Sequence, residues 1–405
     1  MKKTITFSIG ALSTLMVSAQ LPVSHVAGKK QVLIEEFTGN TCPNCPSGHK
    51  ISDQITAANP GKAFAVNIHP PLINSYTPPA GSSNSLDFRA ADGDVILSIP
   101  NMIGDQNNGS FGVPAGAINR MDPVSPAAPM CATGFVMSRS YWSSMVNTVL
   151  SQNSYVNIAG QAYLHPTTRQ LIVNLEAYYT ANSPAASNRI NIDLIQDDII
   201  AYQSGASQYT AMQVGSGYRH NHALRDVING GSNGGGTGET MTGPNTAGTT
   251  WSKTFTYTVA PTYGTVASKS IPAVLADLEI IAFITEYTAS TVKNISAVCK
   301  VPITITTSTA IFEPNATTDL ISFASVYPNP MANEGAVVFT LAQPSPVTIN
   351  VVNELGQTVI SENLTQLGIG EHKYELDATH LTNGIYLVNI QVDKNTVTKK
   401  ISVLK

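Results

Sequence analysis

The residues of this chain best placed to do chemistry are Cys42-Pro43-Asn44-Cys45. Two cysteines separated by two residues can close a small disulfide ring, and a thiolate at the first can attack another disulfide while the second resolves the mixed product. Thiolate chemistry is favoured where unsatisfied backbone N–H groups and a helix dipole face the sulfur. Pro46, directly after the pair, suits an early helical position, where its missing N–H costs little. A second chemistry is open to the same residues. Cys42 and Cys45 with His49, and with His69 as a further ligand, form a Cys2His2-type set suited to zinc or copper. A third reading is inert: the pair is a disulfide that pins a helix end.

The elements that must position the pair can be read around it. Gln31–Phe37 is apolar and strand-like. Ser47–Asn59 reads as a helix, with Ile51 and Ile55 four apart and Pro60-Gly61 as its stop. Lys62–His69 is the next strand. The stretch from Pro70 to Asn108 is rich in Pro, Ser, Asn and Gly and holds a short helix at Asp94–Ile99. Phe111–Arg120 reads as a loop entering a strand. In Ser138–Ser151, Tyr141, Trp142, Met145, Val146 and Val149 recur at helical spacing.

From Tyr155 onward the period changes to two. Strands are expected at Val156–Leu164, Leu171–Tyr179, Ile190–Ile195, Ser252–Val259, Leu278–Tyr287 and Ala297–Thr306, which together predict a β-sandwich. Gly230–Gly248 is glycine-rich but lacks the order of a phosphate cradle and reads as a mobile surface loop. Thr306–Asp319 is a linker by composition. Short alternating strands at 337–340, 347–352, 373–376, 385–392 and 396–403 then form a third, all-β domain, with Asn383-Gly384 as a turn signal.

Composition narrows the function classes. Of 405 residues, 22 are Lys or Arg and 26 Asp or Glu, for a net charge of −4; no basic excess marks a nucleic-acid binder. Lys2 and Lys3, the apolar run Ile5–Ala19 and the small residues Val17-Ser18-Ala19 read as a secretory signal over 1–19. That run is too short for a bilayer span and no later one is longer, so no transmembrane span is expected. An exported chain meets oxidising conditions, so Cys42 and Cys45 are expected as a disulfide. The other two cysteines, Cys131 and Cys299, are candidates for a second bridge.

One further polar run, Tyr218-Arg219-His220-Asn221-His222-Ala223-Leu224-Arg225-Asp226, stands out. As a strand it would put His220 and His222 on one face, where they could hold a metal or, with Arg219, an anion; a hydrogen-bonded edge strand is the plainer reading. No motif of a hydrolase, a zinc protease or an EF-hand is present.

The strand–CxxC–helix arrangement resembles the thioredoxin-like redox site. That resemblance implies a buried acid at Glu36, six residues before Cys42, able to move the proton of Cys45, and a cis-proline at Pro114 facing the cysteines. Thr41 stands where the family usually has an aromatic residue, and Pro43-Asn44 replaces its usual Gly-Pro. The end of the chain resembles the type A sorting domain of type IX secretion cargo, through Tyr327-Pro328-Asn329-Pro330, Asn383-Gly384-Ile385-Tyr386-Leu387-Val388 and Lys399-Lys400-Ile401-Ser402-Val403-Leu404-Lys405. This implies a Bacteroidetes-type host, passage through the periplasm and across the outer membrane, removal of the tail, and the secretion machinery as partner. Residues from about 30 to 300 resemble the outer membrane protein twenty-eight-related family, through Glu35-Glu36-Phe37-Thr38-Gly39, Gly112-Val113-Pro114 with Asn119-Arg120, and His220–Arg225.

The sequence thus predicts a multidomain α/β plus all-β protein. Its parts are a signal peptide (1–19), a thioredoxin-like domain (28–152), a β-sandwich (153–305), a linker (306–324) and an Ig-like β-sandwich sorting domain (325–405). The function expected is an exported, outer-membrane-associated cell-surface or secreted protein with thiol–disulfide oxidoreductase chemistry. Cys42 would attack, Cys45 resolve, Glu36 move a proton and Pro114 shape the substrate groove, with protein disulfides as substrates and no cofactor or metal. The alternative is a non-catalytic surface binding or adhesion protein in which Cys42–Cys45 is structural.

Overall fold

A computed structural model describes residues 21, 23–73, 76–77, 86–103, 112–123, 134–230, 236–288, 291–306, 321–327, 329–341, 344–353, 356–392 and 395–405. The signal segment 1–19 lies outside them. Val23–Thr309 is one compact unit and Ala310–Lys405 belongs to another.

The first unit opens with β1 (Val32–Phe37), α1 (Cys45–Ala58) and β2 (Ala63–Ile68), then α2 (Ala91–Leu97), β3 (Ala115–Ile118), β4 (Val136–Ser138) and α3 (Trp142–Ser151). Helix α1 begins at Cys45 rather than Ser47, because Pro46 fits its first turn. Helix α3 begins at Trp142 instead of Ser138, after a short 3-10 turn over Arg139–Tyr141.

The chain continues with β5 (Val156–Leu164), β6 (Gln170–Tyr179), β7 (Ser187–Gln196), β8 (Ile199–Ala201), β9 (Gln213–Val214), β10 (Gly217–His220), β11 (Ala223–Val227), β12 (Glu239–Thr240) and β13 (Thr250–Thr258). After the short pair β14 (Thr262–Tyr263) and β15 (Ile271–Pro272) come β16 (Leu278–Thr288), β17 (Thr291–Val301) and β18 (Ile303–Ile305).

These strands do not divide at residue 152. A single sheet runs in the order β17-β16-β7-β11-β2-β1-β3-β4, with β12 added on β7. β1 and β2 are parallel, β3 is antiparallel to β1, and β11 joins the far side of β2 in parallel. Strands from both halves of the sequence therefore share one hydrogen-bonded ladder. The strands of the second half also build a separate layer, β13-β6-β5-β18.

Burial explains the layering. β1 alternates: Val32 and Ile34 pack with α1 and α3 against Trp142, Met145 and Val149, while Leu33 and Phe37 join a core with Val66, Ile96 and Phe283. At the other end of the sheet, Ile190, Ile192 and Leu194 of β7 and Ile280, Ala282 and Ile284 of β16 meet Leu171, Val173 and Leu175 of β6. Both faces of the central strands are covered; β2 accordingly reads as a nearly continuous apolar run, while β1 buries Glu35 and Glu36 among its apolar residues.

The C-terminal unit consists of β19 (Ile321–Tyr327), β20 (Glu334–Leu341), β21 (Ser345–Val352), β22 (Thr358–Leu367), β23 (Gly370–Asp377), β24 (Gly384–Val392) and β25 (Asn395–Val403). They form two sheets, β19-β20-β23 and β22-β21-β24-β25, around Val337, Phe339, Ile349, Val388, Ile390 and Ile401. Inward and outward residues alternate along β21 and β24, as a two-layer sandwich requires. Among the described residues no helix is long and apolar enough to cross a membrane.

Candidate functional site

Cys42 and Cys45 form a disulfide. Cys45 is the first residue of α1 and Cys42 sits in the turn leading into it, with the Cys45 amide on the Cys42 carbonyl. The turn lies beyond the carboxyl end of β1, the edge of a parallel strand pair where α/β proteins place their sites. Across from it the Val113–Pro114 bond is cis, and Cys42 Sγ lies 3.4 Å from the Val113 carbonyl oxygen.

Glu36 points from β1 to the underside of α1. A methyl group on Gly48, one turn past Cys45, would lie 2.2 Å from Glu36 Oε1 and 2.7 Å from Pro114 Cβ. Only glycine lets the helix, the acid and the proline approach this closely. Glu36 is wholly buried, and burial, aided by the Asp53 charge, raises its pKa well above the ordinary carboxylate range. Ser52 Oγ donates to Oε2 at 3.0 Å; Oε1 accepts no hydrogen bond, and His49 Nε2 stands 3.9 Å from it.

The pair is covered by a distant segment. Cys42 is 1% exposed and Cys45 0%. Gln203, just after β8, donates its amide to the carbonyls of Cys42 (2.9 Å) and Gly39 (3.1 Å). The Ser204 amide bonds the Asn40 carbonyl at 2.9 Å. Gly205, at φ +76°, presses on Pro43. Opposite, the Tyr76 carbonyl accepts the Thr41 amide. Nothing in the local pattern around Cys42 announces this cover; Gln203 and Gly205 lie about 160 residues further on.

His49 and His69, read as metal ligands with the cysteines, are instead hydrogen-bonded or stacked. His49 contacts Thr38 Oγ1 at 2.8 Å and Tyr218 OH at 3.0 Å. Burial, with the His222 charge, lowers its pKa to about 3, so it is neutral. His69 stacks on Phe88, which also lies against His220. His220 and His222 do not share a face. His222 adopts φ +57° in the turn after β10, which breaks the strand period. His220 is buried, while His222 is half-buried with Nδ1 3.3 Å from Asp197. Arg219 pairs with Asp198 at the surface. Among the described residues Asp197, His222 and Glu279 are the group whose ligand atoms could converge on a metal, but Lys300 already pairs with Glu279.

Cys299, read as half of a second bridge, carries a free thiol whose pKa burial pushes up to about 12. Its expected partner Cys131 lies outside the described residues. The glycine-rich stretch is not a free loop where it is described: Gly236 packs on Ile96, and its carbonyl accepts Arg120 Nη1 at 2.8 Å.

In the tail, Asn329 Oδ1 accepts the Ser402 amide and Asn383 Oδ1 the Lys405 amide, each at 2.8 Å. These bonds tie the first motif to β25 and the turn signal to the residues just after it. The Asn329–Pro330 bond is cis, and Gly384 and Tyr386 open β24 while Lys399 and Val403 lie on β25. Pro328 lies outside the described residues, as do the side chains of Tyr327 and Lys400.

Comparison with known proteins agrees with this division. Residues 325–404 match the secretion system C-terminal sorting domain, and residues 102–301 match the outer membrane protein Omp28 family. The second match begins after Cys42–Cys45. Solved structures similar to this chain include HBP35 of Porphyromonas gingivalis, 14% identical, covering 93% of this chain and 99% of that one with a TM-score of 0.47. A domain of the outer membrane lipoprotein Omp28 from Porphyromonas gingivalis is 17% identical, covers 38% of this chain and 90% of that one, and has a TM-score of 0.25. PorZ, a surface component of the type-IX secretion system of the same organism, is 14% identical over 30% of this chain and 15% of its own, with a TM-score of 0.17. Among curated proteins none matches. The chain is exported to the cell surface and is outer-membrane-associated, and its tail implies the type IX secretion machinery as partner.

Proposed function

We propose that this surface protein exchanges thiols and disulfides through Cys42 and Cys45, on a thioredoxin-like domain spanning about 28–152. The β2-β1-β3-β4 order, with α1 after β1 and α3 at the end, supports that domain. The observation that carries the activity is the convergence at Gly48, where α1, Glu36 and Pro114 meet beside the disulfide.

The oxidised pair beside an acid whose pKa burial raises suits one direction of exchange. A substrate thiolate attacks Cys42 Sγ, the Cys42–Cys45 bond breaks, and Cys45 leaves as a thiolate. Glu36 gives that thiolate its proton. A second substrate thiolate then attacks the substrate sulfur of the mixed disulfide and releases Cys42. The substrate dithiol becomes a disulfide and the cysteine pair is reduced; run backwards, the same steps reduce a substrate disulfide. Access to Cys42 requires the 203–205 segment to lift.

A second reading has its own observation. Both cysteines are buried under that segment, as in a structural staple, which fits a binding or adhesion protein without catalysis. The reduction potential of the full exported chain, poised in thiol buffers with free cysteines trapped by alkylation, separates the two. A value of roughly −120 to −270 mV is expected for exchange, and one below about −300 mV favours the staple. Under the exchange reading Cys42→Ser abolishes turnover, and Glu36→Gln slows it about a hundredfold.

A further inference from the structure

We propose that Asp197, His222 and Glu279 bind a divalent transition-metal cation at the end of β7, a site that does not depend on the exchange reading. The sheet brings the three together. Gln196 of β7 lies opposite Ala223 of β11 on one side and Leu278 of β16 on the other. Asp197 follows Gln196, His222 precedes Ala223, and Glu279 stands opposite Ile195. Counted along these ladders, His222 comes level with Asp197, and Glu279 level with the residue two before it. All three therefore belong to one face of the sheet.

Their ligand atoms, one from each residue, lie within 4.8 Å of one another. A zinc-type ion with bonds of about 2.0–2.2 Å holds its ligands within roughly 4 Å, a spacing that small rotations of these half-buried side chains reach. The backbone N–H of His222 donates to Asp197 Oδ1 at 2.6 Å and fixes that carboxylate beside the ring, 3.3 Å from Nδ1. The other ring nitrogen, Nε2, is 3.7 Å from Asp53 Oδ1 on α1. A carboxylate in that place is the usual orienting partner of a ligating histidine. One imidazole and two carboxylates, with no thiolate, make a nitrogen–oxygen donor set suited to zinc or manganese.

Charge favours the same occupant. Asp53, Asp197 and Glu279 gather around one imidazole, and Lys300 on β17 pairs with Glu279. Three carboxylates against one ammonium leave an excess that a divalent cation neutralises. Lys300 holds one oxygen of Glu279 with its own side chain half-exposed, so its flexible stem can swing into solvent when a metal takes that carboxylate. His222, Glu279 and Lys300 also line a surface cavity of about 200 Å³ with Thr56, Phe64 and Ile195. The cavity gives an ion a way in and room for water as a further ligand.

The test titrates Zn2+ into the full exported chain with its disulfide closed, so that Cys42 and Cys45 cannot ligate, and reads binding by calorimetry. One equivalent is expected. Glu279→Gln, and His222→Asn, which tolerates the left-handed backbone at φ +57°, should each lose it. Asp53→Asn should weaken binding about tenfold or more. Lys300→Met should bind several-fold more tightly, because the competing ammonium is gone; a merely structural role for these side chains predicts no such gain. Failure of the parent to bind Zn2+ would overturn the site. So would binding that survives in both Glu279→Gln and His222→Asn, which marks an adventitious ion only, or an affinity that Lys300→Met leaves unchanged or lowers.

Discussion

The side chain that Gly205 lacks would place its first carbon 2.1 Å from the carbonyl oxygen of Pro43. The two backbones touch, and the contact closes the cover over Cys42. Gly205 also sits at φ +76°, where a β-carbon is strained whatever the space around it. Gly205→Ala should therefore push the segment off the cysteine turn and cost roughly 1–3 kcal/mol of stability, as overpacking does. In the reduced protein, Cys42 should then be alkylated several-fold faster. Unchanged alkylation alongside a lowered melting temperature would mean that the segment does not control access.

A second prediction concerns Glu35, the neighbour of Glu36 on the opposite face of β1. Arg120 grips it with two parallel bonds, Nε to Oε2 at 2.8 Å and Nη2 to Oε1 at 2.6 Å, and both side chains are fully buried. The guanidinium also lies over Phe283. Removing one partner leaves a buried charge uncompensated, so Arg120→Met should cost about 3–5 kcal/mol by denaturant unfolding. Adding Glu35→Gln to that variant should restore part of the loss. A single-variant cost under about 1 kcal/mol would show that the pair is not closed in the folded protein.

A pH effect follows from α2. Burial, together with a hydrogen bond and charge repulsion from Asp226 on β11, raises the pKa of Asp92 from 3.8 to about 7. The folded state thus holds a proton that the unfolded state has lost. The stability this contributes is complete below pH 4 and is lost as pH rises toward 7. Asp92→Asn keeps an amide where the protonated acid stood and should flatten that decline between pH 4 and 7 in thermal melts. A variant whose melting temperature keeps the full parental slope would assign the decline to other groups.

Much of the site was legible in sequence because its signals are local. The cysteine spacing, the apolar run before it, Pro46 and the helical period of Ile51 and Ile55 all act within one or two turns of chain. Glu36 and Pro114 could be nominated from resemblance. Gly48 carries no signal of its own, although its position one turn past Cys45 is where a close approach to the sheet is needed. His49 was visible only as a residue that could ligate; Thr38 and Tyr218, which occupy its nitrogens, lie 11 residues before it and 169 after it.

By itself the sequence determined that a cysteine pair opens a helix after a buried strand, that period-two strands fill the second half, and that the chain ends in a sorting tail. Each rests on propensity, periodicity or a contiguous motif, which neighbouring residues set without reference to the rest of the fold. Only the tertiary structure decided that β11, β7, β16 and β17 extend the sheet of β1 and β2, that Gln203–Gly205 covers the disulfide, that Arg120 pairs with Glu35, and that burial raises the pKa of Glu36. Those outcomes depend on which distant surfaces exclude water together, and burial of that kind leaves no period in the chain.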